Sequence, residues 1–438
     1  MASKLPGLIL VGRHASTLPA LTGHSMQQKR TIVSKAYLKL PDDYPDPWPY
    51  QEKGYTRYHA FVDWTKKRLH QNSKLIVVEG NIGSGKSTVA SEMADILGFK
   101  YMPEFKMDDI LIDRYGNDLR KFYHLFPKCM RMPDINMFYA NPFDDNTARM
   151  QYRMLECRWE QYLNALAHIL NTGEGVVLER SPHTDFVFVN AMRTKNYISP
   201  EFFRLYYYVR KFSLPNLRYW PHLVVYLDAP VKKCLERIKQ RGNPNEIAVV
   251  DEEYLSVMAE SYKDALREFK PHSKILAYDW STPGTADMIV QDIEKIDFDF
   301  FEWHSGDVFE EWHQPKDEWW VSLYRHRVTQ KMDLFLQSFN GHPTHECGEL
   351  YVDINDLGHF ILAMKTHVLK GRLGYGYYPD KGDDRGAGAR VWGWTQHLPE
   401  KWWEYYWRDV YFHRLHSFET YVDPYARSYD PDYLHHHH

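Results

Sequence analysis

The sequence predicts an α/β protein: a parallel sheet flanked by helices, followed by a long aromatic-rich C-terminal extension. Three observations carry this reading. The run from Leu75 to Thr88, LIVVEGNIGSGKST, fits the pattern G-x-x-x-x-G-K-[ST] between an apolar strand and a helical segment. Downstream, short apolar runs alternate with helical patterns, and several runs are uniformly apolar, as strands covered on both faces are. Finally, nine of the fourteen tryptophans fall after residue 298.

The elements follow in order. Residues 1–40 hold Lys4, Arg13, Lys29, Arg30, Lys35 and Lys39 and no Asp or Glu, with Ser and Thr interspersed. That is the composition of a mitochondrial transit peptide, expected over 1–35 with cleavage near 26–35; a plain basic arm is the other reading. Loss of these six cations would take the net charge from −4 to −10. Residues 36–72 form a linker, Pro- and Asp-rich from Leu40 to Pro49, then a lead-in helix over 55–70. Leu75 to Val78 reads as the first strand and Val89 to Leu97 as its helix. Lys100 to Met102 ends a second strand, and Thr147 to Leu170 is a long helix. Gly175 to Glu179 is a strand, with helices at 183–194 and 199–212. His222 to Asp228 is a strand, with helices at Val231 to Gln240 and Asp251 to Phe269. Lys274 to Tyr278 is the last strand and Gly284 to Ile296 the last helix. The α/β unit spans 73–297, and 298–438 is the extension.

Composition excludes several classes. Hydrophobic residues make up 44% of the 438, enough for a large core, yet no apolar run reaches 18 residues, so no membrane span is predicted. Cys129, Cys157, Cys234 and Cys347 are far apart, against a disulfide scaffold and for a reducing compartment. A net charge of −4 gives no footprint for nucleic acid.

The glycine-rich loop has a chemical purpose in each part. Gly80, Asn81, Gly83, Ser84 and Gly85 let backbone N–H groups turn inward around anionic oxygens at a helix N-terminus. Lys86 supplies a cation, and Ser87 and Thr88 hydroxyls, Ser87 for Mg²⁺. Glu179, Arg180 and Ser181 close a buried strand, where ligands of open α/β sheets bind; standing alone they would read as a salt-bridged strand end. Glu104 ends the second strand and is a candidate proton acceptor for an attacking hydroxyl. Arg237 and Arg241 end a helix, either as a lid over phosphates or as a solvated helix face.

Taken together, Glu79 to Thr88, Pro103-Glu104, Glu179 to Ser181 and Arg237…Arg241 resemble the deoxyribonucleoside kinase family over about residues 73–297. The resemblance implies a P-loop kinase fold with a five-stranded parallel sheet, and ATP or another nucleotide bound with Mg²⁺. It implies Glu104 as the base on a sugar 5′-hydroxyl, Ser87 and Glu179 as Mg²⁺ ligands, and Arg180, Arg237 and Arg241 as catalytic cations. Gln151, Arg158 and Asp185 match the residues that read the base, and Glu246 the acid on the 3′-hydroxyl. Gln151 and Arg158 also fit an ordinary amphipathic helix face, being seven residues apart.

Departures from the kinase pattern cluster near the phosphates. Phe186 stands where the kinases carry Arg after the Asp, Phe105 where they carry Pro, and Asn243-Pro244 where a further lid Arg is expected. The stretch 172–188, with 221–228, Tyr278 to Trp280 and 292–298, is similar to the nucleoside-kinase-like accessory subunits of mitochondrial respiratory complex I. That likeness implies a non-catalytic role on the matrix side of the inner membrane, peripheral to it and among other subunits of the complex. Flavin is associated with that subunit family, but the sequence carries no flavin fingerprint and FAD is not expected. The alternative is an active mitochondrial deoxyribonucleoside kinase that moves the γ-phosphoryl of ATP to a 5′-hydroxyl.

In the extension, Trp303, Trp312, Trp319, Trp320, Trp392, Trp394, Trp402, Trp403 and Trp407 mark either a subunit interface or rings packed back on the core. His342, His345, Glu346 and Cys347 lack a second ligand pair at zinc spacing, and no metal is expected there.

Overall fold

The computed structural model describes residues 9–10, 32–112, 117–298, 308–313, 317–339 and 342–368. Its centre is a parallel sheet of β1 (Ile9–Leu10), β2 (Leu75–Gly80), β3 (Lys100–Met102), β4 (Val176–Glu179), β5 (Leu223–Asp228) and β6 (Lys274–Asp279), in the order β1-β6-β5-β2-β4-β3. Five strands answer to the expected sheet. The sixth, the two-residue β1, pairs with β6 as Ile9↔Leu276 and lies inside the segment read as a leader.

Strands β2, β4 and β5 are buried along nearly their whole length, which is why their sequences run apolar instead of alternating. Each fully buried Val, Leu or Ile contributes about 1.5–3 kcal/mol. The longer helices are α1 (Lys86–Leu97), α2 (Ile135–Ala140), α3 (Thr147–Thr172), α4 (Phe186–Thr194), α5 (Pro200–Ser213), α6 (Val231–Arg241), α7 (Pro244–Val249), α8 (Glu252–Phe269), α9 (Ala286–Ile293), α10 (Glu318–Gln330), α11 (Met332–Phe339) and α12 (Ile354–Ala363). Several start on capping residues legible in the sequence. Ser199 Oγ accepts from Phe202 N ahead of Pro200, and Asp251 Oδ1 accepts from Tyr254 N ahead of two glutamates. Gly173, in the left-handed region, ends α3.

Residues 55–70 do not form the expected helix. They make two 3₁₀ turns, Arg57–Phe61 and Lys66–Arg68, separated by irregular chain. Tertiary contacts override the local pattern: buried Arg325 of α10 lies 3.7 Å over the Tyr55 ring and pairs with Asp63, and the Glu318 carboxylate accepts from the Thr65 and Lys66 N–H groups. The segment is a strap clamped to α10.

The described start of the extension is packed into the main core. Phe335 and Phe339 of α11 meet the buried Trp159 of α3 at ring separations of 5.9 and 5.4 Å. Glu311 accepts from Tyr219 N and Trp220 N, and Trp312 Nε1 donates to Trp220 O. Further on, Val352, Leu357, Phe360 and Met364 join Leu119, Phe126 and Met130 in a separate small core. Of the nine extension tryptophans, Trp312 is half-buried and Trp319 and Trp320 are exposed; the other six lie outside the described residues, as does the terminal His run.

At the other end, Ile32 is buried in the core. Val33 exchanges hydrogen bonds with the Asn72 side chain, at 3.0 and 2.7 Å, and Ser34 N donates to Glu294. No described helix is long and apolar enough to cross a membrane.

Candidate active site

The site lies beyond the carboxyl ends of β2, β3 and β4, where the parallel sheet delivers Gly80, Glu104 and Glu179 to one mouth. The loop after β2 is shaped by glycines with positive φ: Gly80 (152°), Gly83 (78°) and Gly85 (92°). A Cβ on Gly80 would meet Leu227 O at 2.8 Å, and one on Gly83 would meet Cys234 O at 3.0 Å, so side chains are excluded by space as well as by conformation.

Lys86 opens α1 and folds back to donate to Asn81 O at 2.8 Å. Burial, helped by the nearby Arg180 cation, brings its ammonium pKa down to about 7. Ser87 Oγ donates to Glu179 Oε1 at 2.7 Å, and Tyr101 donates to the other Glu179 oxygen at 3.0 Å. A hydroxyl and a carboxylate thus meet at the foot of the loop, an oxygen donor set suited to Mg²⁺. Among the described residues no His/Cys/Asp/Glu cluster forms a further metal site.

Glu104 is gripped by two guanidinium groups, Arg158 Nη2 and Arg180 Nε, each at 2.9 Å. Burial alone would raise its pKa; the Arg180, Arg158 and Lys86 cations outweigh it and bring the carboxyl to about 2. Arg180 itself has φ 64°, a left-handed backbone held in place by side-chain bonds. Its Nη1 donates to Tyr262 OH at 2.6 Å, and Tyr262 OH donates to Gly80 O at 2.9 Å, linking the arginine to the loop.

Gln151 and Arg158 project from α3 onto one carboxylate. Gln151 Nε2 donates to Asp185 Oδ2 at 3.0 Å and Arg158 Nη1 to Asp185 Oδ1. Residues 147–159 of α3 are buried throughout, so the two are not part of a solvated helix face. Arg237 Nη1 donates to Gly83 O and Ser84 O at 3.0 and 2.8 Å, joining α6 to the loop. Arg241, half exposed, pairs instead with buried Glu246 at 3.0 Å.

Five contributors escaped the sequence reading. Tyr206 OH donates to Asp185 Oδ2 at 2.5 Å. The Phe188 ring lies 4.6 Å from the Arg158 guanidinium and 4.7 Å from that of Arg180, a floor for both. Tyr262 is the link just described. Tyr139 of α2 is half-buried, and that burial pushes its phenol pKa up, with the Glu246 and Glu104 charges adding to the rise and Arg241 and Arg180 opposing it. Glu79 accepts from Ser181 Oγ and Thr184 Oγ1, and burial raises its carboxyl to about 7. Its place at the head of the kinase-like run Glu79 to Thr88 was its signal in the sequence, which gave it no role of its own.

The sequence departures have structural roles. Phe186 is buried beneath the Arg210 guanidinium at 4.5 Å. Asn243 Oδ1 caps α7, accepting from Asn245 N and Glu246 N. Phe105 packs against the core.

Fold and site together define a nucleoside kinase architecture, and residues 76–315 match the deoxynucleoside kinase family; the chain belongs to that family. Within it, the chain is similar to NADH dehydrogenase [ubiquinone] 1 alpha subcomplex subunit 10, mitochondrial, of Bos taurus, with 36% identity over 241 residues, 54% of this chain and 68% of that one. The subunit of the same name from Mus musculus is 34% identical over 275 residues, 62% of this chain and 73% of that one. Deoxyguanosine kinase of Dictyostelium discoideum is 30% identical over 235 residues, 53% and 73% of the two chains.

Proposed function

We propose that this chain is an accessory, non-catalytic subunit of mitochondrial NADH:ubiquinone oxidoreductase, on the matrix side of the inner membrane, supporting assembly or stability of the complex. The observation that carries the reading is the 34–36% identity to subunits of that name, above the 30% to a kinase of the same fold. The site supports retained nucleotide binding. Gly80 through Thr88 would cradle the phosphates, Lys86 would pair with them, and Ser87 with Glu179 would hold Mg²⁺. A bound Mg²⁺ would supply charge neutralisation between the phosphates. Gln151, Arg158 and Asp185 would face a nucleobase, and Glu246 a sugar hydroxyl.

A leader that ends before Ile32 fits this reading, because Ile32 to Ser34 belong to the folded unit. The test is native size separation of detergent-solubilised mitochondria, probed for this chain. Co-migration with NADH dehydrogenase activity at high mass is the expected result; a small free species would sink the reading.

A second reading is favoured by one observation: Glu104, Arg158, Arg180, Gln151 and Asp185 form a continuous network. As a deoxynucleoside kinase, the chain would use Glu104 to take the 5′-hydroxyl proton, and Arg180, Arg237 and Arg241 to neutralise the transferring phosphoryl. Purified protein should then phosphorylate at least one of the four deoxynucleosides, and Lys86→Ala should abolish it. No turnover with any of the four would dispose of this alternative.

A further inference from the structure

We infer that the surface shared by the strap at 58–67 and the start of α10, apolar at its centre and flanked by lysines, is a docking face for a neighbouring protein subunit whose own surface is rimmed by acidic residues. The inference rests on the accessory-subunit reading and says where on this chain the assembly is met.

Two segments some 250 residues apart in sequence build this surface. Tyr58, Phe61, Val62 and Trp64 come from the strap, with exposures of 82, 71, 79 and 52%. Trp319 and Trp320 come from α10, at 42 and 62%. Phe61 and Trp319 touch across the junction, their ring centroids 5.8 Å apart. Clamping the strap to α10 does not require these six side chains, because Tyr55, Asp63, Thr65, Glu318 and Arg325 make that contact. Large aromatics gathered in the open mark interaction sites, and Trp and Tyr are the side chains that most often anchor protein interfaces.

Charge selects the partner. Lys66 and Lys67 flank the aromatics, and neither has a carboxylate partner among the described residues; the Lys67 ammonium lies 5.3 Å over the Trp64 ring. The nearby carboxylates are engaged. Asp63 pairs with Arg68 and Arg325, and Glu318 accepts from Thr65 N, Lys66 N and Ser322 Oγ. Asp317 is exposed and spends one oxygen capping Trp319 N. The face therefore presents two cations with no carboxylate partner among the described residues, beside an apolar centre, complementary to a surface rimmed by Asp or Glu.

The experiment compares the full chain with a Phe61→Ser/Trp319→Ser/Trp320→Ser variant and a Lys66→Glu/Lys67→Glu variant, each expressed in mitochondria lacking the native copy. Native separation reads the fraction that co-migrates with NADH dehydrogenase activity. Wild type should co-migrate, and the aromatic variant should lose at least about tenfold of that fraction. Charge reversal should cause a smaller loss that grows at low salt. Unaltered co-migration of both variants overturns the docking face while leaving the accessory reading intact. Free migration of wild type overturns that reading and the docking face with it. A photo-cross-linking residue at Tyr58 in the otherwise native chain covers the case of a misfolded variant; an adduct with another subunit at an acidic peptide is expected. An adduct within the chain itself, or flotation of the purified chain with phosphatidylserine vesicles that the aromatic variant loses, refutes a protein partner.

Discussion

Replacing Phe339 by alanine asks whether the extension belongs to the core. Phe339 is fully buried, and its ring meets Trp159 at 5.4 Å, Phe335 at 4.8 Å and Tyr152 at 6.4 Å. Deleting a ring from such a site removes its transfer free energy and leaves a cavity, because Trp159 on the sheet-packed helix α3 cannot collapse into the gap. The expected cost is about 3–5 kcal/mol. For roughly 300 ordered residues the unfolding entropy near the midpoint is about 0.6 kcal/mol/K, so the thermal midpoint should fall by ~5–8 °C. Trp320→Ala is the matched control, since that ring is 62% exposed and its loss should change stability by no more than ~0.5 kcal/mol. Purified variants would be followed by circular dichroism during heating and by urea denaturation. If Phe339→Ala matched the control, the helices after residue 317 would be an independent appendage and the packing argument would be wrong. A chain cut at Phe298 makes the same point more harshly. It would bare Trp159 and Tyr219 and leave Asp63 without Arg325, so it should fail to accumulate as folded protein.

Three further outcomes follow from the geometry. Burial holds the Lys86 ammonium at about 7 in the folded protein against 10.5 when unfolded, so folding penalises the charged form fully below pH 7, and stability from this group rises between pH 7 and 10.5. Phosphate oxygens would restore the charge, so binding of ATP with Mg²⁺ at pH 8 should take up protons, seen as a buffer-dependent calorimetric enthalpy that Lys86→Met removes; a buffer-independent enthalpy would refute it. Tyr206→Phe removes one of three donors to Asp185 and should weaken binding of a deoxynucleoside by roughly 1 kcal/mol, about fivefold, in a titration; unchanged affinity would place the base elsewhere. Mass spectrometry of the mature protein should find its N-terminus upstream of Ile32, and deleting residues through Lys35 should cost on the order of 2–4 kcal/mol in lost hydrogen bonds and burial. A mature chain beginning after Lys35 would contradict this.

The parts of the site that sequence could reach are those in which backbone and motif coincide. The glycine loop, the strand ends carrying Glu104 and Glu179, and the single carboxylate Asp185 were legible because each depends on a residue type that packing alone would not choose. Tyr206, Tyr262 and Phe188 were hidden for the opposite reason. On buried helix faces an aromatic ring is the ordinary core choice, and only the fold shows that two of these hydroxyls and one ring attend arginine and aspartate. The strap at 55–70 failed as a helix because its partner, Arg325, lies some 260 residues away and no local pattern encodes that contact.

The two lost kinase arginines also acquire a physical meaning from their replacements. At 186 the side chain is turned into the core beneath Arg210, and at 243 it is spent on capping α7. Both positions now stabilise the scaffold where the kinase resemblance implies a cation near the phosphates. Preorganised charge of that kind is worth several kcal/mol to a transition state, on the order of 3–4 kcal/mol per donor, and far less to a folded ground state. Meanwhile Lys86 stays folded against the glycine loop and Ser87 against Glu179, the arrangement that, on the proposed reading, would hold phosphates and Mg²⁺ without moving them. A site relieved of turnover but not of binding would drift in this direction: arginines that act only in the transition state are replaced by packing and caps, and groups that also bind the ground state persist. Restoring Phe186→Arg and Asn243→Arg together should therefore leave nucleotide affinity near that of the wild type. Any gain should be confined to the rate of phosphoryl transfer, and a large gain in affinity with no gain in rate would contradict this division.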